Sequence, residues 1–295
     1  LIHRNYKDEI DHKNSFNKKV LELAYLYRER LIFLITNWMR VGYCQGNFNS
    51  DNCAAGGFTL DYGPFGFCEL FDPSFQPWTG GGKHFSFFNQ PSAAQINFKT
   101  FCTSLKPLFS ENGEDLEKLS QIENDFSELM LKEMQKMWSK KLGLDNYNKT
   151  LINDLLNLMV SSKADYTILF RKLSNIPVDT FFLNESCYLP INEELKNRWE
   201  KWLNEWKWCL KKENNLKLKS ESMKLINPIY TWREWLILPA YEEAEEGNYG
   251  KIRELQAIFS KPYEKQSSEI EQKYNRLKPR QFFNYGGVSH YSCSS

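Results

Sequence analysis

The sequence predicts a mainly α-helical protein of 295 residues with one small β hairpin. Two observations indicate this fold class. Apolar residues recur at helical spacing from Phe16 to Met39 and again in several segments beyond residue 110. The intervening segment 42–82 loses this period and contains nine of the 15 glycines. It also includes the short runs 57–60 and 65–67, which are typical of brief strands between turns.

Further helices are predicted in order along the rest of the chain. The first follows an apolar stripe from Leu116 to Met137 and ends before Gly143, a residue type that favours helix C-termini. Later segments with helical spacing are 151–173, 195–210 and 230–259, the last as one or two helices. In the second of these, three tryptophans share one helical face and are predicted to pack in the core: Trp199, Trp202 and Trp206.

These elements predict three parts. Residues 1–110 form a core with the candidate catalytic and metal-binding loops, and residues 111–265 form a helical extension of the same domain. Residues 266–295 are polar and turn-rich, so we expect a tail that ends in Cys-Ser-Ser.

The composition excludes several classes of protein. With 38 Lys and Arg against 37 Asp and Glu, the chain is nearly neutral, so a strongly basic nucleic-acid binder is not indicated. No apolar run is long enough to predict a membrane-spanning helix. The seven cysteines are odd in number and form no CxxC pair, which favours reduced thiols in an intracellular compartment. Four scattered histidines offer little for a His/Cys zinc site.

The segment 42–52 and the run Asp61-Tyr62-Gly63 carry the candidate chemistry. A long helix, a polar loop ending in Asp-Asn, a short hairpin and then Asp-aromatic-Gly is the order in which kinase-like folds present their metal ligands. Mg²⁺ prefers hard oxygen ligands, and a carboxylate with an amide oxygen can hold it against nucleotide phosphates. Asn52 and Asp61 would supply these two oxygens.

The loop departs from a protein kinase at one position. In the kinase catalytic loop the proton-accepting Asp precedes the metal-binding Asn by five residues, and that position is Asn47 here. The neighbouring carboxylate of Asp51 could act instead as the general base, or it could support the metal ligands from beside them.

The motifs match a known pattern. In one family the corresponding segment has the sequence Val-Gly-Phe, then Cys or a variant, then His-Gly-Val-Met/Leu-Asn-Thr-Asp-Asn. A second segment with the sequence Asp-Tyr-Gly-Pro-Phe-Gly-Phe follows it. The matching positions here are Val41, Gly42, Gly46, Asn49, Asp51, Asn52 and the run 61–67. Similarity continues through Asp72-Pro73, Asn89-Gln90-Pro91, Asp165-Tyr166-Thr167, Asn227-Pro228, Arg233 and Cys293-Ser294-Ser295. The chain thus resembles the selenoprotein O family of kinase-fold protein adenylyltransferases, although the usual His is Gln45 here.

The resemblance implies a protein-kinase-like C-lobe with added C-terminal helices. It implies binding of ATP in an inverted orientation and transfer of AMP to Ser, Thr or Tyr hydroxyls of protein substrates. Asn52 and Asp61 would hold Mg²⁺, with Mn²⁺ as an alternative, and Asp51 would be the base. It also implies a mitochondrial location in a eukaryote and a cytoplasmic one otherwise.

Family members carry a nucleotide-covering lobe upstream of the catalytic loop, with a Gly-rich element, a Lys–Glu pair and two arginines. None of these is found before Gly42, so we expect that the N-lobe is missing and that this chain alone binds ATP poorly and is inactive.

Two other functions and two weaker sites stay open. An ordinary phosphotransferase would use the same metal pair, and a truncated pseudokinase would be an inactive interaction module. Lys83 could contact phosphate or substrate in the activation-loop position. Cys293, where some relatives carry selenocysteine, is a candidate for reversible disulfide chemistry.

Overall fold

The computed structural model describes residues 1–60, 63–78, 82–110, 113–211 and 215–283. The α-helices in these ranges are α1 Ile2–Asn5, α2 Phe16–Val41, α3 Gln90–Leu105, α4 Glu114–Asn124, α5 Phe126–Lys141, α6 Lys149–Ser162, α7 Tyr166–Leu173, α8 Leu183–Ser186, α9 Glu193–Lys211, α10 Leu216–Ile226, α11 Glu234–Glu245, α12 Gly250–Phe259 and α13 Ser268–Tyr274. Strands β1 Tyr43–Cys44 and β2 Gly66–Phe67 form one antiparallel sheet. The predicted class, mainly helical with a small sheet, is confirmed.

Helix α2 is the central element. It starts at Ser15, whose side chain accepts a hydrogen bond from the Lys18 N–H and so satisfies one of the free donors of the first turn. It ends at Gly42, which adopts a left-handed conformation with φ +80°. One face of α2 is buried against α3, α4 and α5. The helix predicted from the spacing between Phe16 and Met39 is therefore confirmed.

The sheet contains one of the two runs that were expected as strands. Tyr43 lies opposite Phe67, and Cys44 lies opposite Gly66. The run 65–67 thus contains β2, whereas the run 57–60 contributes only an isolated bridge between Thr59 and Cys53. The strand that pairs with β2 comes directly after α2, where no strand was predicted.

Two predicted long helices are each broken in two. The stripe that begins at Leu116 is interrupted at Asp125, between α4 and α5. The segment 151–173 is interrupted at Lys163, which adopts φ +50°. After that break, the Asp165 side chain accepts from the Ile168 N–H at 2.9 Å and starts α7 anew. Apolar spacing continues across both breaks, so the pattern did not indicate them.

The described residues form two hydrophobic clusters. The main cluster surrounds α2 and includes Trp199, Trp202 and Trp206, which are buried as predicted. A smaller cluster lies in residues 229–282, and this range is called the C-terminal unit below. The buried members of the smaller cluster are Ile229, Tyr230, Trp235, Leu236, Ala240, Leu255, Ile258, Phe259 and Tyr274. Helix α13 lies within the segment expected to be a tail, and it is ordered there because Tyr274 packs in this cluster.

In the described ranges, none of the helices is long and apolar enough to cross a membrane.

Candidate active site

The loop that carries the candidate catalytic residues is held against the loop that precedes β2. Gly46 adopts φ +75°, and a Cβ atom at this position would lie 1.8 Å from the backbone oxygen of Pro64. Only glycine allows this approach without moving the backbone. Gly46 in segment 42–52 therefore lies close to Pro64, which follows the Asp-aromatic-Gly run in the sequence.

Gln90 fixes the start of the catalytic loop from the N-terminus of α3. Its side chain is fully buried, accepts from the Gln45 N–H at 3.0 Å and donates to the Tyr43 oxygen at 2.9 Å. Gln90 was noted in the sequence only as part of Asn89-Gln90-Pro91, and its positioning role was missed. An apolar residue here would remove both of these hydrogen bonds from the start of the loop.

Asn97, about two turns further along α3, fixes the middle of the same loop. It is buried, and its Nδ2 donates to the Phe48 oxygen at 2.9 Å. Ser50 Oγ donates to Asn97 Oδ1 at 3.3 Å. Two polar side chains of α3 thus hold the loop that ends at Asn52, and nothing in the spacing of α3 indicated Asn97.

Asp51 and Asn52 lie in a short 3₁₀ turn, Ser50–Asn52. The Asp51 side chain is exposed, and no hydrogen bond or ion pair joins it to any described residue. Asn52 is half-buried, and its Nδ2 donates to the Asn47 backbone oxygen at 3.2 Å. Because that bond uses the amide nitrogen, the Asn52 Oδ1 atom is the end available to a cation. An exposed carboxylate and an oriented amide therefore belong to adjacent residues of one turn.

The side chain of Asn47 adds a third oxygen to this region. Its Oδ1 atom is buried and has no hydrogen-bond partner among the described residues. A buried acceptor without a partner is unfavourable by about 1–3 kcal/mol, and it indicates a missing donor or cation. Oxygen donors of this kind fit a hard divalent cation such as Mg²⁺. Among the described residues no group of three or more His, Cys, Asp or Glu could hold a metal ion.

Lys83 is exposed at the start of a short 3₁₀ turn, Lys83–Phe85. Gln76 links this turn to the catalytic loop, since its Nε2 donates to the oxygens of both Gly46 and Gly82, at 3.2 and 3.1 Å. Gln76 thereby connects the residue before Lys83 with Gly46 in the loop that leads to Asp51 and Asn52. Nothing in the sequence pattern indicated Gln76.

Two cysteines that flank the catalytic loop are protected. Burial raises the pKa of the Cys44 thiol to about 12 and that of Cys53 to about 11. The Cys53 Sγ atom lies 3.1 Å from the Tyr27 hydroxyl. Both side chains therefore stay protonated thiols near neutral pH and are poor nucleophiles. Two further site residues predicted from the sequence, Asp61 and Cys293, lie outside the described residues.

Comparison with known proteins defines the class to which the chain belongs. It is 31% identical over 276 residues to the protein nucleotidyltransferase YdiU of Flavobacterium johnsoniae, covering 89% of this chain and 52% of the relative. It is 30% identical over 277 residues to the protein of the same name from Aromatoleum aromaticum, with 90% and 52% covered. A third, from Methylobacillus flagellatus, is 29% identical over 303 residues, with 99% and 56% covered. These relatives are bacterial protein nucleotidyltransferases.

The family can be stated more closely. A family model described as "Protein adenylyltransferase SelO" matches residues 2–260, so the chain belongs to the SelO family. The resemblance seen in the motifs is thereby confirmed. The chain spans about half the length of the curated relatives it matches. Because those relatives are bacterial, they give no support to the mitochondrial location expected for a eukaryotic source.

Proposed function

We propose that this chain is part of an enzyme that transfers AMP from ATP to Ser, Thr or Tyr hydroxyls of proteins. The observation that carries the proposal is the pairing of the exposed Asp51 carboxylate with the oriented amide of Asn52, at the motif positions of an adenylyltransferase family. A kinase-like C-lobe is the architecture that we infer for residues 1–110 and the following helical extension.

Asp51 acts as the general base in this proposal. It removes the proton from the attacking hydroxyl as the hydroxyl oxygen bonds to the α-phosphorus of ATP. The bond from that phosphorus to the bridging oxygen breaks, and pyrophosphate leaves with the electron pair. The Asp51 carboxylate is exposed and has no ion-pair partner in the part of the chain that the structure describes, which suits a group that accepts a proton from a substrate.

Asn52 and Asp61 hold the metal ion, and the buried Asn47 oxygen lies close to them in the chain. When bound, Mg²⁺, or Mn²⁺ in its place, neutralises charge on the phosphate oxygens and so lowers the barrier to attack. The hydrogen bond from Asn52 Nδ2 to the Asn47 oxygen orients the amide oxygen before any cation binds. Lys83 contacts phosphate or the protein substrate.

The experiment that tests this proposal identifies the transferred group. The chain is incubated with Mg-ATP and an acceptor protein, and the acceptor is analysed by mass spectrometry. The same assay is run with a chain that adds the part of a relative not covered by the match. AMP on acceptor hydroxyls is the expected product, and it should be lost in Asp51→Asn but kept in Asp8→Asn, an exposed aspartate outside the site.

Each of the two alternative functions predicts a different result in this assay. Phosphate on the acceptor would show an ordinary phosphotransferase. No modification by either chain would favour an interaction module. That the 295 residues alone are inactive stays a prediction, which the comparison of the two chains tests.

A further inference from the structure

An aromatic cavity lies on one face of the two-stranded sheet. Its volume is about 480 Å³. Tyr43 and Phe67, which are opposite each other in β1 and β2, line it with their rings 5.5 Å apart in an edge-to-face arrangement. Because side chains alternate along a strand, this face is opposite to the one on which Cys44 enters the core. Trp38, Tyr43 and Phe65 also belong to the main hydrophobic cluster, so the cavity borders the core.

The remaining walls come from two parts of the chain. Trp38 at the end of α2 is held in place by a hydrogen bond from its Nε1 to Thr59 Oγ1 at 2.9 Å. Trp232 and Tyr241, both in the C-terminal unit, line the other side and are 42% and 37% exposed. The volume lies within the roughly 300–1,000 Å³ of ordinary binding pockets. A site this rich in aromatic rings, with two of them open to solvent, suits a large apolar side chain.

Negative charge lies beside the opening. Glu245 is one helical turn beyond Tyr241 in α11, on the same side of the helix, and it is exposed. Among the described residues neither Glu245 nor Glu242 forms an ion pair, whereas Glu243 between them is paired with Lys251 at 2.5 Å. An occupant with positive charge next to its apolar group would therefore complement the cavity and its rim.

The position of the cavity connects it to the candidate active site. The wall strand β1 leads directly into the catalytic loop at Gly46, and β2 follows the loop that contains Pro64. A polypeptide bound here lies beside the loop that carries Asp51. A docking contact of this kind would raise the local concentration of a hydroxyl-bearing segment near the base.

We propose that this cavity docks the protein substrate through a segment with one large apolar or aromatic side chain followed by lysines or arginines. The proposal rests on the proposed function for the identity of the partner. The apolar anchor fills the space between Tyr43 and Tyr241, and the basic residues pair with Glu242 and Glu245. Aromatic rings at the opening also favour a cation over their faces.

The test is direct binding of a fluorescein-labelled peptide with a Phe followed by a run of lysines, measured by anisotropy without nucleotide. Saturable binding is expected, and Tyr241→Ala should weaken it about tenfold. Glu245→Lys should weaken it about threefold or more, with a smaller salt dependence than the wild type. Replacing the Phe of the peptide by Ala should weaken binding to the wild type as much as Tyr241→Ala does.

Matched variants control for general surface effects. Leu225→Ala removes an exposed apolar side chain that lines a different cavity, and Glu194→Lys makes the same charge change on α9. Neither should change the affinity. Equal affinity of the wild type and Tyr241→Ala, or no binding at all, would overturn the proposal.

Two further outcomes would assign another occupant and overturn the proposal as well. Binding by the 295 residues but not by a longer chain would show that another part of the protein covers the cavity. Dimerisation that Tyr241→Ala abolishes would show that a second copy covers it. Because binding is measured without nucleotide, absence of AMP transfer with intact peptide binding would count against the proposed function alone.

Discussion

Arg233 donates two hydrogen bonds to Asp165 inside the protein, with Nη1 2.7 Å from Oδ2 and Nη2 3.0 Å from Oδ1. Both side chains are buried, at 1% and 0% exposed. Glu69 is 3.7 Å from Arg233 Nη1, and Trp235 Nε1 donates to Glu69 Oε2 at 3.0 Å. Because Arg233 and Trp235 start α11 while Glu69 follows β2, this buried cluster attaches the C-terminal unit to the segment next to the candidate active site.

Replacing Arg233 by Met should destabilise the protein strongly. The change would leave Asp165 buried without its partner, and breaking a buried pair in this way costs about 3–5 kcal/mol. Urea unfolding followed by fluorescence would measure the loss. Lys273→Met, which removes an exposed ion pair with Glu254, is the matched control and should leave the unfolding midpoint nearly unchanged. Equal midpoints for the two variants would show that the cluster does not hold the C-terminal unit in place.

Stability should fall as the pH rises toward neutrality because of Glu69. Burial is the largest effect and raises the pKa of this carboxyl from 4.5 to about 7. The positive charges of Arg233 and Lys278 lower the pKa, and the negative charges of Asp165 and Glu234 raise it. Since the folded pKa is the higher one, the folded state favours the protonated carboxyl. The stability that the protonated Glu69 carboxyl contributes to the folded state is complete below about pH 4.5 and is lost by about pH 7.

The measurement is the free energy of unfolding between about pH 5 and about pH 8, compared with Glu69→Gln, which cannot ionise. Wild type should lose stability relative to the variant by an amount on the order of 3 kcal/mol across this range. Glu194→Gln, an exposed control, should follow the wild type. Parallel curves for the wild type and Glu69→Gln would contradict a raised pKa at this position.

The sequence predicted the elements with strong periodicity and failed where tertiary contacts decide. Helix α2 was predicted within two residues at its C-terminal end, because its apolar stripe and Gly42 both mark it. The strand that pairs with β2 was not predicted, because a strand of two residues is too short to show an alternating pattern. Its pairing depends on the position at which α2 ends. The breaks at Asp125 and Lys163 were missed because apolar spacing carries on through them.

Gly46→Ala should separate the two loops of the candidate site. The new Cβ would meet the Pro64 oxygen, in addition to the strain of φ +75°. Gly247→Ala is a matched control, because Gly247 adopts φ +85° but has nothing within 4 Å of a built Cβ. We expect about 1–2 kcal/mol of destabilisation in the control and clearly more in Gly46→Ala.

Hydrogen exchange of the backbone amides in 43–52 would locate this effect. Exchange in that segment should become faster in Gly46→Ala and stay unchanged in Gly247→Ala. If both variants lost the same stability and neither changed exchange there, the close approach of the two loops would not be what fixes the catalytic loop.

Cysteine reactivity should differ sharply along the chain. Because burial raises the pKa values of Cys44 and Cys53 to about 12 and about 11, both should react slowly with iodoacetamide in the native protein. Cys293, near the C-terminal end of the sequence, is predicted from the family resemblance to react first and to form a reversible disulfide. Non-reducing peptide mapping after mild oxidation would check both. Uniform modification of all cysteines, with no effect of Cys293→Ser, would remove the redox role.

The sequence predicts candidate site residues, whose roles stay predictions, but it does not predict the contacts that position them. Asp51 and Asn52 follow from motif spacing, because chemistry restricts which side chains can bind a metal or accept a proton. No motif indicates the buried side chains that position them, Gln90 and Asn97. In a sequence, an amide within a helix cannot be distinguished from an ordinary surface polar residue. Their roles depend on contacts between residues more than 40 positions apart.

The proposal that Asp61 holds the metal ion for AMP transfer is tested by the mass of the acceptor protein after incubation with Mg-ATP. The assay compares the wild type with Asp61→Ala and with the control Asp8→Ala, in whichever of the two chain lengths turns over. The wild type and the control should add AMP to acceptor hydroxyls, and Asp61→Ala should add none, because the carboxylate ligand of the metal is gone. Normal AMP transfer by Asp61→Ala, or no AMP transfer by the wild type at either chain length, would contradict the claim.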